Sequence, residues 1–190
     1  MPINTFIFIR HAETKVDKKL EISKWNLTEK GVIEALRISN DDLFQYVNII
    51  ITSNEEKAYQ TAFPFSEKLK KIIIREADLN EIYRDKGKFL SNDDYLKTMK
   101  LCLENRDLSY NDWETANNAL KRFSEKIKEI DSRYSSKKIL IVSHGGVINL
   151  YFAKKLGQLE NIYKRVLTNS FCDYGIIQNG QIIKDIAKTS

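Results

Sequence analysis

The chain has 190 residues, 42% hydrophobic and 30% charged, a balance that suits a folded globular protein and excludes a disordered one. No apolar run approaches the roughly 20 residues that a membrane-spanning helix needs. The net charge of +5 comes from lysines interleaved with acids, as Lys126 and Lys128 with Glu125 and Glu129, which describes solvated helix faces rather than a nucleic-acid stripe.

In chain order, an apolar run over residues 4–9 predicts a first strand. After a polar stretch, Thr28 is placed to cap a helix whose buried stripe is predicted as Ile33, Leu36 and Leu43. A second strand is predicted over 47–52. Ser53 or Asn54 then caps a helix carrying Ala58, Ala62 and Phe65, which Pro64 is expected to kink or shorten. A third strand is predicted over 72–75.

Residues 77–111 lack a clear period, and Gly87, Ser91, Asn92 and Ser109 punctuate them as turns. A long helix is predicted over 112–133, burying Ala116, Ala119, Leu120, Phe123, Ile127 and Ile130. A fourth strand over 138–142 leads into a helix over 146–156 that stops at Gly157. The end reads as a hairpin: strands over 171–177 and 181–186 around an Asn179-Gly180 turn. Alternating strands and helices predict a three-layer α/β/α architecture with a mostly parallel sheet, a C-terminal antiparallel hairpin and a small helical insertion over about 77–112. One domain over 1–190 is expected.

The start of the chain enters a strand with no basic leader or cleavage site, so no signal peptide is expected, and the cytoplasm is the predicted compartment. Cys102 and Cys172 stand far apart with no C-x-x-C spacing, which predicts packing residues rather than a disulfide or zinc site.

The chain has two histidines, and each ends a predicted strand. His11 lies in Arg10-His11-Ala12-Glu13-Thr14, and His144 in Ser143-His144-Gly145-Gly146-Val147. Strand ends are where an open α/β sheet keeps its ligand site. Arg10 offers a planar fork of donors for phosphate or carboxylate, and Thr14 adds a hydroxyl. The glycines after His144 permit a tight turn into a helix whose free N–H groups favour an anion. Ser53 to Ala62 follows strand two and places Lys57 one turn into its helix. Cationic groups gathered at strand ends need a partner, most simply a phosphate dianion. The competing reading is a local salt bridge to Glu13, Glu55 or Glu56.

These segments resemble the histidine phosphatase superfamily, the phosphoglycerate mutase-like group. The likeness runs through R-H-x-x-T (Arg10, His11, Thr14), LTEKGVIEA (27–35), SNEEKAYQTA (53–62) and VSHGG (142–146), in the family's order. A weaker echo is Glu114-Thr115 with Arg122.

The resemblance implies a metal-independent, cofactor-free phosphatase in which His11 attacks phosphorus to form a phosphohistidine. By the same resemblance Arg10, Lys57, His144, Thr14 and Gly145 bind the phosphoryl group. Glu81, in Leu79-Asn80-Glu81-Ile82, matches the family's proton donor, with Glu76 and Asp78 as runners-up. The sequence departs from the pattern at Lys57, where the family has arginine, and at Asp17, where an asparagine is common. The glycine expected after the acid is displaced to Gly87.

A phosphoglycerate mutase and a non-catalytic phospho-ligand sensor are the alternatives. The expected partner is a small phosphorylated substrate, gripped through Trp25, Tyr83, Arg84, Phe89, Tyr95, Tyr110 or Trp113. A homodimer through the 181–186 edge is a further expectation.

Overall fold

The structure, a computed structural model, describes residues 3–188. Six strands form one sheet: β1 (Thr5–Arg10), β2 (Ile49–Thr52), β3 (Ile73–Arg75), β4 (Lys138–Ser143), β5 (Tyr174–Gln178) and β6 (Gln181–Lys184). Their order is β3-β2-β4-β1-β5-β6. The first four in that order run parallel, while β5 pairs antiparallel with both β1 and β6. The six α-helices are α1 (Glu29–Ser39), α2 (Glu56–Leu69), α3 (Asn92–Glu104), α4 (Ala116–Arg133), α5 (Gly145–Leu156) and α6 (Ile162–Leu167). Among the described residues, no helix is long and apolar enough to cross a membrane.

The three-layer arrangement follows from side-chain alternation along the central strands. Phe6, Phe8, Ile139 and Ile141 face one core with α4 and α5, where Phe123, Ile127, Val147 and Ile148 meet them. Ile7, Ile9, Leu140 and Val142 face the other, with Ala35 and Ile38 of α1 and Ala58, Ala62 and Phe65 of α2. Each such Ile or Phe contributes about 1.5–3 kcal/mol on burial. All six residues expected on the long helix's inner face are buried.

Several local expectations are corrected. Ile33 and Leu36 are exposed at 65% and 50%, while Gly31, Ala35, Ile38 and Ser39 are the buried positions of α1. Gly31 admits the Glu13 carbonyl, which an added Cβ would meet at 2.2 Å, and a pattern weighted toward large apolar side chains picks the wrong face. Neither Ser53 nor Asn54 caps α2; Glu55 occupies that position without a side-chain bond to the helix. Pro64 lies inside α2, which continues to Leu69. The long helix begins at Ala116 because Asn111 and Asp112 adopt positive φ (53° and 56°), and Thr115 then caps it by accepting from the Asn118 amide.

The irregular region contains the 13-residue α3, capped by Ser91. α6 had no sequence signal. The terminal turn places Asn179 and Gly180 at φ 52° and 77°, the left-handed pair that a two-residue hairpin requires.

Candidate active site

Parallel pairing of β1 with β4 sets Arg10 opposite Ser143, so the residues that follow each strand come together. The His11 amide donates to the Ser143 carbonyl (2.9 Å), and the two imidazole centroids lie 5.1 Å apart. On the next strand Thr52 pairs with Val142, which brings Ser53 against His144. The remaining arm comes after β3, where Leu79 and Glu81 reach back over β4 and α5: the Ser143 hydroxyl donates to the Leu79 carbonyl (2.6 Å).

The His11 ring is oriented by its own backbone. Nδ1 is 2.8 Å from the Ala12 carbonyl oxygen, which can only accept, so Nδ1 carries the hydrogen and Nε2 keeps its lone pair. The Thr14 hydroxyl sits 3.2 Å from the same Nδ1 and donates to the same carbonyl. Burial holds the His11 pKa well below the ordinary value, and the charges of His144, Lys57 and Arg10 push the same way. The ring is therefore a neutral base with a directed lone pair.

The flanking motifs secure the segment that carries this ring. The Ala12 amide donates to Thr61 Oγ1 (3.0 Å) and the Leu27 amide to Gln60 Oε1 (2.9 Å), which ties the Gln60-Thr61 pair of α2 to the loop after β1. Thr28 caps α1 through the Gly31 amide (2.9 Å), and its own amide donates to the Glu13 carbonyl (3.0 Å).

His144 is fully buried and is not among the residues lining the cleft surface, although its ring stands next to that of His11. Its Nε2 lies 2.8 Å from Ser53 Oγ and 3.4 Å from a Glu55 carboxylate oxygen, whereas Nδ1 is buried without a partner. Burial again lowers its pKa well below the ordinary value, followed by the charges of Lys57, Arg84, Arg122 and Arg10. Arg10 donates Nη1 to the Asn169 carbonyl and lays its guanidinium over the Phe171 ring, 4.5 Å from the centroid. Its Nε is buried without a partner. Burial lowers the Arg10 pKa, against the charges of Glu81, Tyr95 and Asp173.

Lys57 does face the cleft, yet its ammonium is already engaged. Nζ lies 2.5 Å from Glu55 Oε2 and donates to the Ile22 carbonyl (2.7 Å). The competing reading of a local ion pair thus holds for this residue. Glu55, one of the three local acids named for that reading, is a buried member of the site: it is 5% exposed, and its Oε1 also accepts from the Glu81 amide (2.8 Å). Its only sequence signal was its position two residues before Lys57.

The Glu81 carboxylate lies at the start of α5. Oε2 accepts from the Gly146 amide (2.9 Å), and Oε1 from those of Val147 (3.1 Å) and Ile82 (3.0 Å). Glycine at 146 lets the carboxylate sit this close, since a Cβ there would meet Glu81 Oε1 at 2.4 Å and the carboxylate would have to move. The weak echo at Glu114 and Arg122 holds the Glu81 segment. Arg122 forks onto both Glu114 oxygens (2.9 and 2.7 Å) and donates to the carbonyls of Asp78, Asn80 and Glu81 (2.9, 2.8 and 2.7 Å). The runners-up do not reach the cleft: Glu76 and Asp78 pair with Lys126 of α4 at 3.2 and 3.9 Å.

Arg10, His11, Thr14, Lys57, Glu81 and Gly145 share one cleft of about 740 Å³. Asp17 does not line it; its carboxylate accepts from the Lys19 amide (2.9 Å) instead. Trp25, Arg84, Phe89, Tyr95 and Trp113 line the cleft, but Tyr83 and Tyr110 do not. Tyr110 packs on the core instead. Both thiols are buried and pushed up, Cys102 to about 11 and Cys172 to about 12, mainly by burial. Chemically, the cleft offers a neutral imidazole nitrogen, four groups able to meet an anion (Arg10, Thr14, Lys57 and the Gly145 amide) and one carboxyl group.

The profile of the histidine phosphatase superfamily (branch 1) matches residues 6–179. Among solved structures, the Bacillus stearothermophilus protein YhfR is similar over 97% of this chain and 96% of its own, at TM-score 0.80 and 20% identity. A mycobacterial glucosyl-3-phosphoglycerate phosphatase is similar over 97% and 99%, at TM-score 0.77 and 14% identity. An Entamoeba histolytica phosphoserine phosphatase, solved as a mutant with phosphoserine, is similar over 96% and 95%, at TM-score 0.77 and 17% identity. No curated protein matches the sequence.

Proposed function

The chain belongs to the histidine phosphatase superfamily, branch 1, and on that premise we propose that it hydrolyses a small phosphomonoester through a phosphohistidine on His11. The observation that carries this reading is the His11 tautomer: Nδ1–H is committed to the Ala12 carbonyl, which leaves the Nε2 lone pair as the attacking atom. Nε2 forms the P–N bond as the ester P–O bond breaks in line. The leaving alkoxide takes a proton from the Glu81 carboxyl. Water then attacks the phosphohistidine, returns a proton to Glu81 and releases orthophosphate.

Arg10, Thr14, Lys57, His144 and the Gly145 amide hold the equatorial oxygens in this scheme. The buried orphan donors Arg10 Nε and His144 Nδ1 support that assignment, because an unpartnered buried polar atom is costly until a ligand satisfies it. For Nδ1 to donate, Nε2 must accept from the Ser53 hydroxyl, and the 2.8 Å contact suits that. The structural neighbours described as phosphatases of phosphoserine and of glucosyl-3-phosphoglycerate support hydrolysis of a small ester. The cytoplasm is the compartment proposed with it.

A non-catalytic sensor of phosphorylated ligands is the second reading, and the Lys57–Glu55 pair favours it. A neutralised cation stabilises transition-state charge less than a free one. Orthophosphate release from phenyl phosphate tests the two. Turnover that is lost in His11→Ala supports the phosphatase. Orthophosphate binding without turnover supports the sensor, and equal turnover in wild type and variant removes His11 as nucleophile.

A further inference from the structure

We infer that the ligand of this cleft is a phosphomonoester whose alcohol portion is an extended apolar group. As a substrate class this rests on the phosphatase reading, although the binding argument does not. A volume of about 740 Å³ exceeds many times what a tetrahedral oxyanion fills, and lies in the range of sites for sizeable organic ligands. Beyond the phosphoryl-binding groups the lining is mostly apolar, with Lys18, Arg84, Lys88, Ser91, Asn92 and Asn169 as its polar members. Trp25 and Phe89 meet there with ring centroids 6.5 Å apart, and α3 contributes Leu96 and Met99.

Large apolar side chains are also left open to water in this cleft. Phe89, Leu167 and Phe171 are 47%, 54% and 36% exposed, and all three line it. Apolar surface gathered inside a concave site, next to groups that fix an anion, marks where an apolar ligand portion is buried.

The charges fit the same occupant. Among the described residues, Glu81 is the sole carboxylate lining the cleft. Lys18 and Lys88 are exposed lining residues suited to attracting a dianion, and the Lys18 ammonium lies over the Phe89 ring, 5.0 Å from its centroid, where its stem adds to the apolar wall. Arg84 is the cation that a second anionic group would need. Its Nη1 donates to the Tyr95 hydroxyl (2.8 Å), and its guanidinium carbon lies 5.4 Å from the centroids of both Tyr95 and Trp113. Those contacts hold it against the wall rather than projecting it at a carboxylate. An aliphatic or aryl-alkyl tail satisfies this lining; a short, doubly anionic ester does not.

The experiment is calorimetric binding of n-alkyl phosphonates, which cannot be hydrolysed, to the whole chain. Burial of each methylene strengthens binding by up to about fourfold, so the Kd of hexylphosphonate is expected to be at least about tenfold below that of ethylphosphonate. Leu96→Gln should flatten this dependence. Equal affinities, no binding of either ligand, or tighter binding of 5-carboxypentylphosphonate than of hexylphosphonate would overturn the inference. The last result would make Arg84 a second anion anchor.

Orthophosphate release from ethyl and hexyl phosphate, whose leaving groups are matched primary alcohols, separates this inference from the phosphatase reading. Release from both esters with equal kcat/KM contradicts the apolar tail alone. No release from either, with phosphonate affinities still rising with chain length, contradicts the phosphatase alone.

Discussion

The Lys57 ammonium lies 2.5 Å from the Glu55 carboxylate, with both side chains almost fully buried beside His144. The cation that faces the cleft is therefore half of an internal ion pair. Removing one partner of a buried pair typically costs about 3–5 kcal/mol, because the other charge is left uncompensated. Glu55→Gln keeps the shape and an acceptor for the Glu81 amide, so a loss near the lower end, about 3 kcal/mol, is expected. Orthophosphate should bind the variant more tightly than wild type, since it becomes the counter-ion of Lys57. Urea denaturation with and without phosphate checks both; weaker phosphate binding would show that Lys57 does not address the anion.

Glu81→Gln separates proton donation from capping. Glutamine retains an oxygen that accepts from an α5 amide but does not supply the proton. Alkyl esters, which leave as strong bases, should lose about 10²–10⁴-fold in kcat/KM, and a nitrophenyl ester about tenfold or less. Equal losses for the two leaving groups would exclude Glu81 as the acid.

Gly146→Ala reaches the same carboxylate from the other side. Its Cβ would stand 2.4 Å from Glu81 Oε1, so the carboxylate has to move. The helix gains about 1 kcal/mol in propensity and loses a cap of similar worth, so stability should change by less than about 1 kcal/mol. Alkyl-ester turnover should fall as in Glu81→Gln. Unchanged turnover would mean that the position of the carboxylate is not critical.

Arg122→Lys tests the brace behind Glu81. An ammonium does not span both Glu114 oxygens and three carbonyls, so stability should fall by about 1–3 kcal/mol as those acceptors lose their donor. The pattern of leaving-group sensitivity should shift in the Glu81→Gln direction. A stability loss with no change in that pattern would confine Arg122 to folding.

Acid should destabilise the protein through its two imidazoles. Both are held neutral in the fold, chiefly by burial, with folded pKa values well below ordinary. The unfolded chain takes up protons on both below about pH 6.5 while the folded chain does not. Their contribution is thus intact above that pH and declines as pH falls below it. Denaturant midpoints at pH 7.5 and 5.0 should show a smaller fall in a His144→Asn variant, and an equal fall would assign the acid sensitivity to other groups.

The strand ends were legible because buried strands are continuous apolar runs and Arg10, His11 and His144 interrupt them abruptly. The inner face of α4 was legible for a related reason: large apolar residues at helical spacing leave one orientation. α1 was misread because its packed face is built of Gly31, Ala35 and Ser39, which carry little hydrophobic signal. Glu55 was legible only as one of three local acids that could pair with a nearby cation, because the tertiary approach of Lys57, His144 and the Glu81 amide is what buries it. The apolar cleft drew its walls from Trp25, α3 and the residues after α6, segments too far apart in sequence for any local pattern to join.

Rapid quenching with labelled phosphate ester tests the central claim most directly. The account predicts an acid-labile, base-stable phosphoryl label on His11, present in wild type, absent in His11→Ala and still formed, more slowly, in His144→Ala. A label on any other residue, or steady-state turnover with no protein-bound phosphate that depends on His11, would contradict it.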